Sequence, residues 1–216
     1  MARDGAGEGT LILTDDQTVG RGRRGNTWLS TPGNLYMSII LRSKVSLKDA
    51  GQLSFLSAVA LVDTLTDVVG DTVAIQQKWP NDVLIEGQKC AGILLEAEAE
   101  GSKTDWVVLG MGVNLADSPE GAASIAQYTD APTPRDFIDR FEPHFTALYE
   151  NWQKAGFQAV RDKWMSKARS LNEQISVRLP KEELSGIFRG IDEAGQLCLE
   201  HDGKITKVAS GDVFFG

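Results

Sequence analysis

The sequence has little of what marks several large classes of protein. Its 216 residues include 2 cysteines, Cys90 and Cys198, too few for the disulfide framework of a small secreted domain or for a zinc cluster. The N-terminal stretch from Met1 to Thr10 is glycine-rich and polar and contains no apolar signal-peptide core. The most apolar stretch, Leu53 to Val69, carries aspartates, and we expect it to be too polar to span a bilayer. These absences predict a cytoplasmic protein that does not act at a membrane.

Positive charge is also scarce in the chain as a whole. Lysine and arginine number 22 against 30 aspartates and glutamates, which gives a net charge of −8. DNA and anionic membranes attract basic surfaces, so this balance argues against either as a general partner. The hydrophobic share of 42% and the charged share of 24% are those of an ordinary globular protein. Any polyanion must therefore be bound by a local cluster of cations.

The hydrophobic pattern predicts an α+β fold with two parts. Strands are expected over residues 10–14, 35–42, 73–77, 83–86, 90–97 and 106–115, grouped in hairpins. Helices are expected over 46–70, 133–152 and 157–168, with Ser46 and Thr133 as caps. Five further strand-like runs begin near Ile175, Ile187, Leu197, Ile205 and Val213. We predict a mixed, mostly antiparallel sheet with packed helices over 1–169 and a small β-barrel domain over 170–216.

The segment from Gln17 to Trp28 carries most of the local positive charge. No aspartate or glutamate occurs between Asp16 and Asp49, whereas that window holds six cations, Arg21, Arg23, Arg24, Arg42, Lys44 and Lys48. Glycines between the arginines allow the backbone to approach a ligand, and guanidinium groups bind phosphate in a bidentate manner. The segment is either a phosphate-binding loop, with Trp28 stacked on a base, or a solvated basic turn with Trp28 in the core.

Two common nucleotide motifs do not fit this loop. Gly20, Gly22 and Gly25 have the spacing of the dinucleotide fingerprint, but that motif requires a helix to open at the third glycine. The following Ser30-Thr-Pro-Gly33 cannot form that helix. The chain also contains no Gly-Lys-Ser/Thr sequence, which excludes a Walker P-loop.

Three other clusters carry polar or glycine residues at the ends of predicted strands. They are Lys78-Trp-Pro-Asn-Asp82, Lys89-Cys-Ala-Gly-Ile93 and Gly110-Met-Gly-Val-Asn114. Lys89 opens an apolar strand beside small residues that leave room for a ligand, although a solvated hairpin lysine is the simpler interpretation. Glycines within a strand indicate either a bulge or the close approach of a ligand.

Together these motifs resemble those of the biotin protein ligase family, the biotin–acetyl-CoA-carboxylase ligases. The resemblance also includes Gly33-Asn-Leu-Tyr36 and, near the C-terminus, Ser185–Gly190 and Gly211–Phe215, and so it covers nearly the whole chain. It implies a class II synthetase-like catalytic domain followed by a Src-homology-3-like barrel. The implied enzyme uses ATP and Mg²⁺ to form biotinyl-adenylate, and it transfers biotin to a lysine of the biotin carboxyl carrier protein.

The resemblance also implies roles for individual residues. Lys89 and Arg23 would be catalytic. Biotin would be bound by Gln17, Arg21, Gly22, Arg23 and Lys89. ATP would be bound by Arg21, Arg23, Trp28, Asn81, Asp82 and Asn114. The Mg²⁺ would arrive with ATP, with Asp82 as its candidate protein ligand.

Three departures from the family pattern qualify this interpretation. The strand and helix that usually precede Gln17, with their Ser-Thr-Asn motif, are absent, so the chain is interpreted as N-terminally truncated. Asn26 replaces a common arginine, and no N-terminal helix-turn-helix supports a repressor role or DNA binding.

Two alternatives stay open: a weakened or inactive binding module, and a lipoate or octanoyl ligase. A homodimer is also open, supported by an exposed strand near Trp106 to Leu115.

Overall fold

The computed structural model describes residues 1–43 and 45–215, together with every side chain among them except that of Glu100. Lys44, one of the six cations in the basic window, lies outside the described residues. The first part of the chain builds a six-stranded antiparallel sheet in the order β1-β2-β6-β5-β4-β3. Its strands are β1 Leu11–Thr14, β2 Leu35–Leu41, β3 Ile75–Lys78, β4 Asp82–Ile85, β5 Gln88–Glu100 and β6 Lys103–Val113.

Four helices cover this sheet, and the two start signals read from the sequence lie at the starts of the first and the third. They are α1 Leu47–Ala50, α2 Gln52–Val69, α3 Pro134–Ala155 and α4 Gln158–Ser166. The Ser46 and Thr133 hydroxyls accept hydrogen bonds from backbone amides at the starts of α1 and α3, as expected of caps. Within the stretch Leu47–Val69, an 18-residue window has the mean hydropathy (1.4) of a membrane-spanning helix, but 67% of that window is buried. That burial is typical of a core helix in a globular protein.

The C-terminal residues form a second antiparallel sheet of five strands, as predicted. Its order is β10-β9-β8-β7-β11, with β7 Gln174–Arg178, β8 Glu183–Ile191, β9 Leu197–His201, β10 Lys204–Val208 and β11 Asp212–Phe215. The strand β8 begins four residues earlier than the apolar run near Ile187 indicated, because its first half pairs with β7 through exposed polar positions.

The prediction that the strand near Trp106 to Leu115 is exposed is wrong, since among the residues of β6 only Lys103 is exposed. The strand β6 pairs along one side with β2 and along the other with β5, so both of its edges are occupied. The sequence could not show this, because apolar strands at the centre and at the edge of a sheet have similar compositions. The outer strands of the sheet are β1 and β3, and the three apolar side chains of β1, Leu11, Ile12 and Leu13, are each 37–39% exposed.

The Trp79 indole ties the two sheets together. Its ring is 3% exposed, and Nε1 donates a hydrogen bond of 3.0 Å to the Gly195 carbonyl, in the turn before β9. Gly195 itself has φ +75° and lies against the Phe55 ring of α2, where an added Cβ would come within 2.4 Å of a ring carbon. The Trp-Pro part of the Lys78–Asp82 motif therefore fixes the second sheet to the first.

We expect Trp79→Phe to lower the free energy of unfolding by about 1–3 kcal/mol, because the buried Gly195 carbonyl loses its donor. Urea denaturation followed by circular dichroism measures this change. The matched control is Trp106→Phe, since Trp106 is also buried but its indole N–H has no acceptor among the described residues. Equal losses in the two variants would show that ring volume, and not the hydrogen bond, stabilises the contact.

Candidate active site

The arginine-rich segment folds as a short hairpin. The amide of Trp28 donates to the Gly20 carbonyl at 3.1 Å, and the amide of Gly22 donates to the Asn26 carbonyl at 2.7 Å. The turn between them places Arg24 at φ 54° and Gly25 at φ 81°, the left-handed conformation that glycine adopts without strain. This hairpin holds the arginine side chains in fixed directions along one side of the six-stranded sheet.

A pair of glycines on adjacent strands makes the floor on which Trp28 lies. Gly112 of β6 lies directly opposite Gly92 of β5, and opposite residues of neighbouring strands share one face. A Cβ on Gly112 would be 2.5 Å from Trp28 Cε2, and a Cβ on Gly92 would be 2.9 Å from Trp28 Cζ3. The glycines predicted to allow close approach therefore accept a side chain of the chain itself. The Trp28 Nε1 is buried and has no hydrogen-bond partner among the described residues.

A cavity of about 320 Å³ opens beside this tryptophan, between the hairpin and the sheet. Ser38 and Gly110 lie opposite each other on β2 and β6, and Leu94 lies opposite Gly110 on β5. Because Ser38 and Gly110 in this row have small side chains, the cavity extends toward the sheet. Of the predicted site residues, those that line the cavity are Gln17, Arg21, Gly22, Arg23, Trp28, Asn81, Asp82 and Lys89.

Lys89 lies at one end of this cavity in a charged and aromatic setting. Its Nζ is 2.8 Å from Asp82 Oδ1 and 5.3 Å from the centre of the Trp28 ring. The Asp82 side chain is 17% exposed and that of Lys89 is 40% exposed, so the pair is partly shielded from water. A cation over an aromatic face and beside a carboxylate is held in one position. The two motifs that the sequence placed across a hairpin do come together here.

Arg23 points into the same space from the hairpin. Its Nη1 donates a long hydrogen bond of 3.4 Å to Asn81 Oδ1, and Asn81 Nδ2 donates to the Ile93 carbonyl at 2.7 Å. Burial lowers the pKa of Arg23, and the neighbouring Arg24 lowers it further, while Asp212 and Asp82 act in the opposite direction. The guanidinium stays charged at neutral pH, because its ordinary pKa is so high.

The other two arginines of the hairpin form ion pairs that sequence reasoning missed. Arg21 Nη2 is 2.8 Å from a Glu96 carboxylate oxygen of β5. Arg24 Nη1 is 3.0 Å from Asp212 Oδ2 of β11, and its Nη2 donates to Ser210 Oγ at 2.9 Å. Glu96 lies on the same face of its strand as Gly92, which is a usable signal. The sequence carries no comparable signal for Asp212, because the position of Asp212 depends on how the second sheet packs.

Two of the singled-out residues lie outside the cavity lining. Asn114 is 4% exposed, and its Nδ2 donates to the Ala123 carbonyl at 3.0 Å. Lys78 has its Nζ 5.2 Å from the centre of the Phe215 ring and 6.0 Å from that of Phe214, and burial lowers its pKa. The structure thus does not bring Asn114 to the site as a direct contact, and it gives Lys78 a role in holding the second sheet.

The described residues contain no cluster of three or more metal-binding side chains, such as would bind an ion without help from a substrate. The carboxylates at the cavity are Asp82, Glu96 and Asp212, and each of them is paired with a cation. Cys90 is fully buried, and burial raises the pKa of its thiol to about 12, so it is not a nucleophile at neutral pH.

Two family models match the sequence. The Biotin/lipoate A/B protein ligase family matches residues 4–114, and the Biotin protein ligase C terminal domain matches residues 170–216. Among curated relatives, a biotin–[acetyl-CoA-carboxylase] ligase of Paracoccus denitrificans is 37% identical over 95% of this chain and 90% of its own length. The ligase of the same name from Mycobacterium tuberculosis is 32% identical over 99% of this chain and 82% of its own.

Solved structures share the fold. A biotin protein ligase from Aquifex aeolicus in complex with biotin and ATP superposes with a TM-score of 0.83, at 24% identity, over 97% of this chain and 89% of that one. A biotin protein ligase-like protein of unknown function from Silicibacter superposes with a TM-score of 0.75, at 18% identity, over 96% of this chain and 85% of that one. With matching family models over both parts and relatives above 30% identity over nearly their full length, the chain belongs to the biotin protein ligases of the biotin/lipoate A/B protein ligase family.

Proposed function

We propose that the chain is an ATP-dependent biotin–[acetyl-CoA-carboxylase] ligase. The observation that supports this most directly is the Lys89–Asp82 ion pair beside Trp28, at the end of a deep cavity whose rim carries Arg21 and Arg23. A cavity that has Trp28, Ile93 and glycines on one side and cations at one end suits an acid with an apolar chain and a polar ring, whose carboxylate must meet a phosphate.

The first step joins biotin to AMP. The biotin carboxylate oxygen attacks the α-phosphorus of ATP, the bond from that phosphorus to the bridging oxygen breaks, and pyrophosphate leaves. Negative charge crowds at the reacting phosphate, so fixed cations aimed at it accelerate the reaction. Lys89 and Arg23 are the catalytic residues of this step, because both point their charges into the cavity and are held there by Asp82 and Asn81.

Biotin occupies the deep part of the cavity in this proposal. Gln17 meets its ureido ring, and Arg21 and Gly22 close over it from the hairpin. ATP lies toward Trp28, which stacks on the adenine, with Asn81 and Asp82 on the phosphate side. Asp82 also fits the carboxylate that helps to hold a Mg²⁺ brought in with ATP, since Mg²⁺ is commonly bound through one or two carboxylates plus substrate phosphates. The metal adds positive charge at those phosphates.

The second step moves biotin to the carrier. The ε-amine of a lysine on the biotin carboxyl carrier protein attacks the biotinyl carbonyl, the bond to AMP breaks, and the amine loses a proton. The hairpin of arginines lies over the cavity and limits the access of water to the mixed anhydride.

We also propose residues 1–169 as the catalytic domain and 170–216 as a barrel domain, in a cytoplasmic enzyme. A homodimer would need an edge other than β6.

The test is biotin-dependent exchange of labelled pyrophosphate into ATP, followed by transfer to a purified biotin carrier domain detected with streptavidin. Octanoate and lipoate in place of biotin are the matched controls. We expect exchange and transfer with biotin alone. Exchange with lipoate or octanoate in preference to biotin would favour the lipoate branch of the family. No exchange with any acid would favour a binding module without catalytic activity. Asn26, which stands where the family commonly has an arginine, is consistent with that outcome.

The ion pair between Arg24 and Asp212 leads to a prediction of its own. We expect Arg24→Ala to raise the KM for ATP about threefold at low salt, because the hairpin loses its contact with β11, and this difference should shrink above about 0.5 M salt as screening grows. Since the pair is partly exposed, stability should change by less than about 1 kcal/mol. The control is Arg189→Ala, which removes a similarly exposed pair with Glu200 inside the second sheet. If the effect of Arg24→Ala on the KM for ATP did not change with salt concentration, the prediction would be contradicted.

A further inference from the structure

The start of the segment that follows β6 is bound by a buried side chain, that of Asn34. Asn34 is 2% exposed, and its Oδ1 accepts hydrogen bonds from three successive amides, Leu115 at 2.9 Å, Ala116 at 2.9 Å and Asp117 at 3.2 Å. Its Nδ2 donates to the Asp117 carbonyl at 2.8 Å. All four bonds go to one short stretch of chain, so Asn34 specifies the path that the chain takes as it leaves the sheet.

The residue before Asn34 allows this contact. Gly33 has φ +87°, and a Cβ built on it would be 2.9 Å from the Ala116 Cβ. A larger residue would therefore push the segment away. Glycine and asparagine together bring the start of β2 against the exit of β6, where the amide of the buried Leu115 would otherwise lack an acceptor.

The same segment then turns back to the backbone of Lys89. The Ala123 amide donates to the Lys89 carbonyl at 2.9 Å, and Ala122 forms a parallel bridge with Lys89. Asn114 Nδ2 holds the Ala123 carbonyl at 3.0 Å from the other side. Hydrogen bonds from Asn34 therefore anchor one end of the stretch from Leu115 to Ala123, and a hydrogen bond to the Lys89 carbonyl anchors the other end. Within the stretch, the Ser118 hydroxyl donates to the Ala122 carbonyl at 3.1 Å.

We propose that Asn34 is a positioning residue for Lys89. It touches no part of the cavity lining, and it acts by fixing the chain that supports the Lys89 backbone. Loss of this support lets the ammonium move relative to Asp82 and Trp28. A displacement of about 1 Å at a reacting group costs about 100-fold in rate. The catalytic consequence rests on the proposed ligase function, whereas the structural link between Asn34 and Lys89 does not.

The first experiment tests the link without substrates. The full chain is labelled with a trace of acetic anhydride, and the labelling of Lys89 relative to exposed Lys103 is read by peptide mass spectrometry. We expect Asn34→Ala to raise this ratio at least threefold. Asn34→Asp should raise it less, because the aspartate oxygen still accepts the three amides although the bond to the Asp117 carbonyl is lost. Leu65→Ala, which opens a cavity in α2 remote from the site, is the control for a general loss of stability.

The second experiment measures biotin-dependent pyrophosphate exchange with the same variants, per folded molecule. We expect Asn34→Ala to lower kcat about 100-fold with the KM for biotin changed less than threefold, and Asn34→Asp to recover part of the rate. Unchanged labelling of Lys89 in Asn34→Ala, or a change that Leu65→Ala reproduces, overturns the proposal. A labelling change in a chain without exchange supports the link and counts only against the ligase function.

Discussion

Lys89→Ala should lower the rate of biotin-dependent pyrophosphate exchange by about 100- to 1000-fold, the range found when one fixed charge-stabilising group is removed from a transition state. The substitution removes the ammonium that lies 2.8 Å from Asp82 and 5.3 Å from the Trp28 ring. Because the lysine acts on charge that develops during the reaction, the effect should fall mainly on kcat. Steady-state exchange kinetics at saturating biotin and ATP measure it.

The matched control is Lys103→Ala, which removes an exposed lysine at the start of β6, away from the cavity. It should leave the exchange rate unchanged within about twofold. Lys89→Arg keeps the charge but carries a larger group into the space beside Gly92, where a Cβ would already lie 3.4 Å from Lys89 Nζ. It should therefore recover only part of the rate. An exchange rate in Lys89→Ala equal to that of the control would mean that the lysine takes no part in the chemistry.

The second large effect is expected from Gly112→Ala, because its new Cβ would be 2.5–2.8 Å from three atoms of the Trp28 indole. Real Cβ atoms do not come so near, so the ring must leave the floor of the site. We expect the KM for ATP to rise at least about tenfold, which is the loss of about 1.4 kcal/mol of binding. Tryptophan fluorescence should change in the free protein as well, since Trp28 moves whether or not a ligand is present.

Gly110→Ala is the companion to this variant, two residues away on the same strand. The atoms nearest to its Cβ would be those of Leu94, at 3.4–3.8 Å, and Ser38 Oγ at 3.9 Å, which are ordinary contacts. The methyl group fills the deep part of the cavity without moving Trp28. We expect the KM for biotin to rise and the KM for ATP to stay near its original value. If both variants raised the same KM, the assignment of the two parts of the cavity to biotin and ATP would be wrong.

Much of the fold could be predicted because its signals are local. Ser46 and Thr133 cap helices through bonds that span three residues, and the strands of the six-stranded sheet alternate or turn at glycines. The approach of Lys89 to Asp82 was also predictable in outline, since both lie on one hairpin. The order of strands was not, because the position of β6 between β2 and β5 depends on packing of distant segments.

The candidate site divides in the same way. The hairpin residues and Lys89 reach the cavity as their motifs suggested, since each motif brings its own backbone geometry. Asn114 was expected to contact ATP, but its amide is used by the Ala123 carbonyl, and no local pattern distinguishes a buried amide that serves the backbone from one that meets a ligand. Asp212 comes from the second sheet and could be placed only once the two sheets were packed together.

The pairing of charges around the cavity also affects how the protein discriminates among anions. Three cations near the cavity, Lys89, Arg21 and Arg24, already have carboxylate partners, and only Arg23 faces an amide instead. A phosphate group alone must therefore displace internal carboxylates to gain these contacts, and it gains little by doing so. A ligand that also contacts the apolar part of the cavity gains more binding free energy, and only such a ligand can displace those carboxylates. We therefore expect inorganic phosphate and sulfate to be poor competitors, because the basic side chains of the hairpin are already paired within the protein.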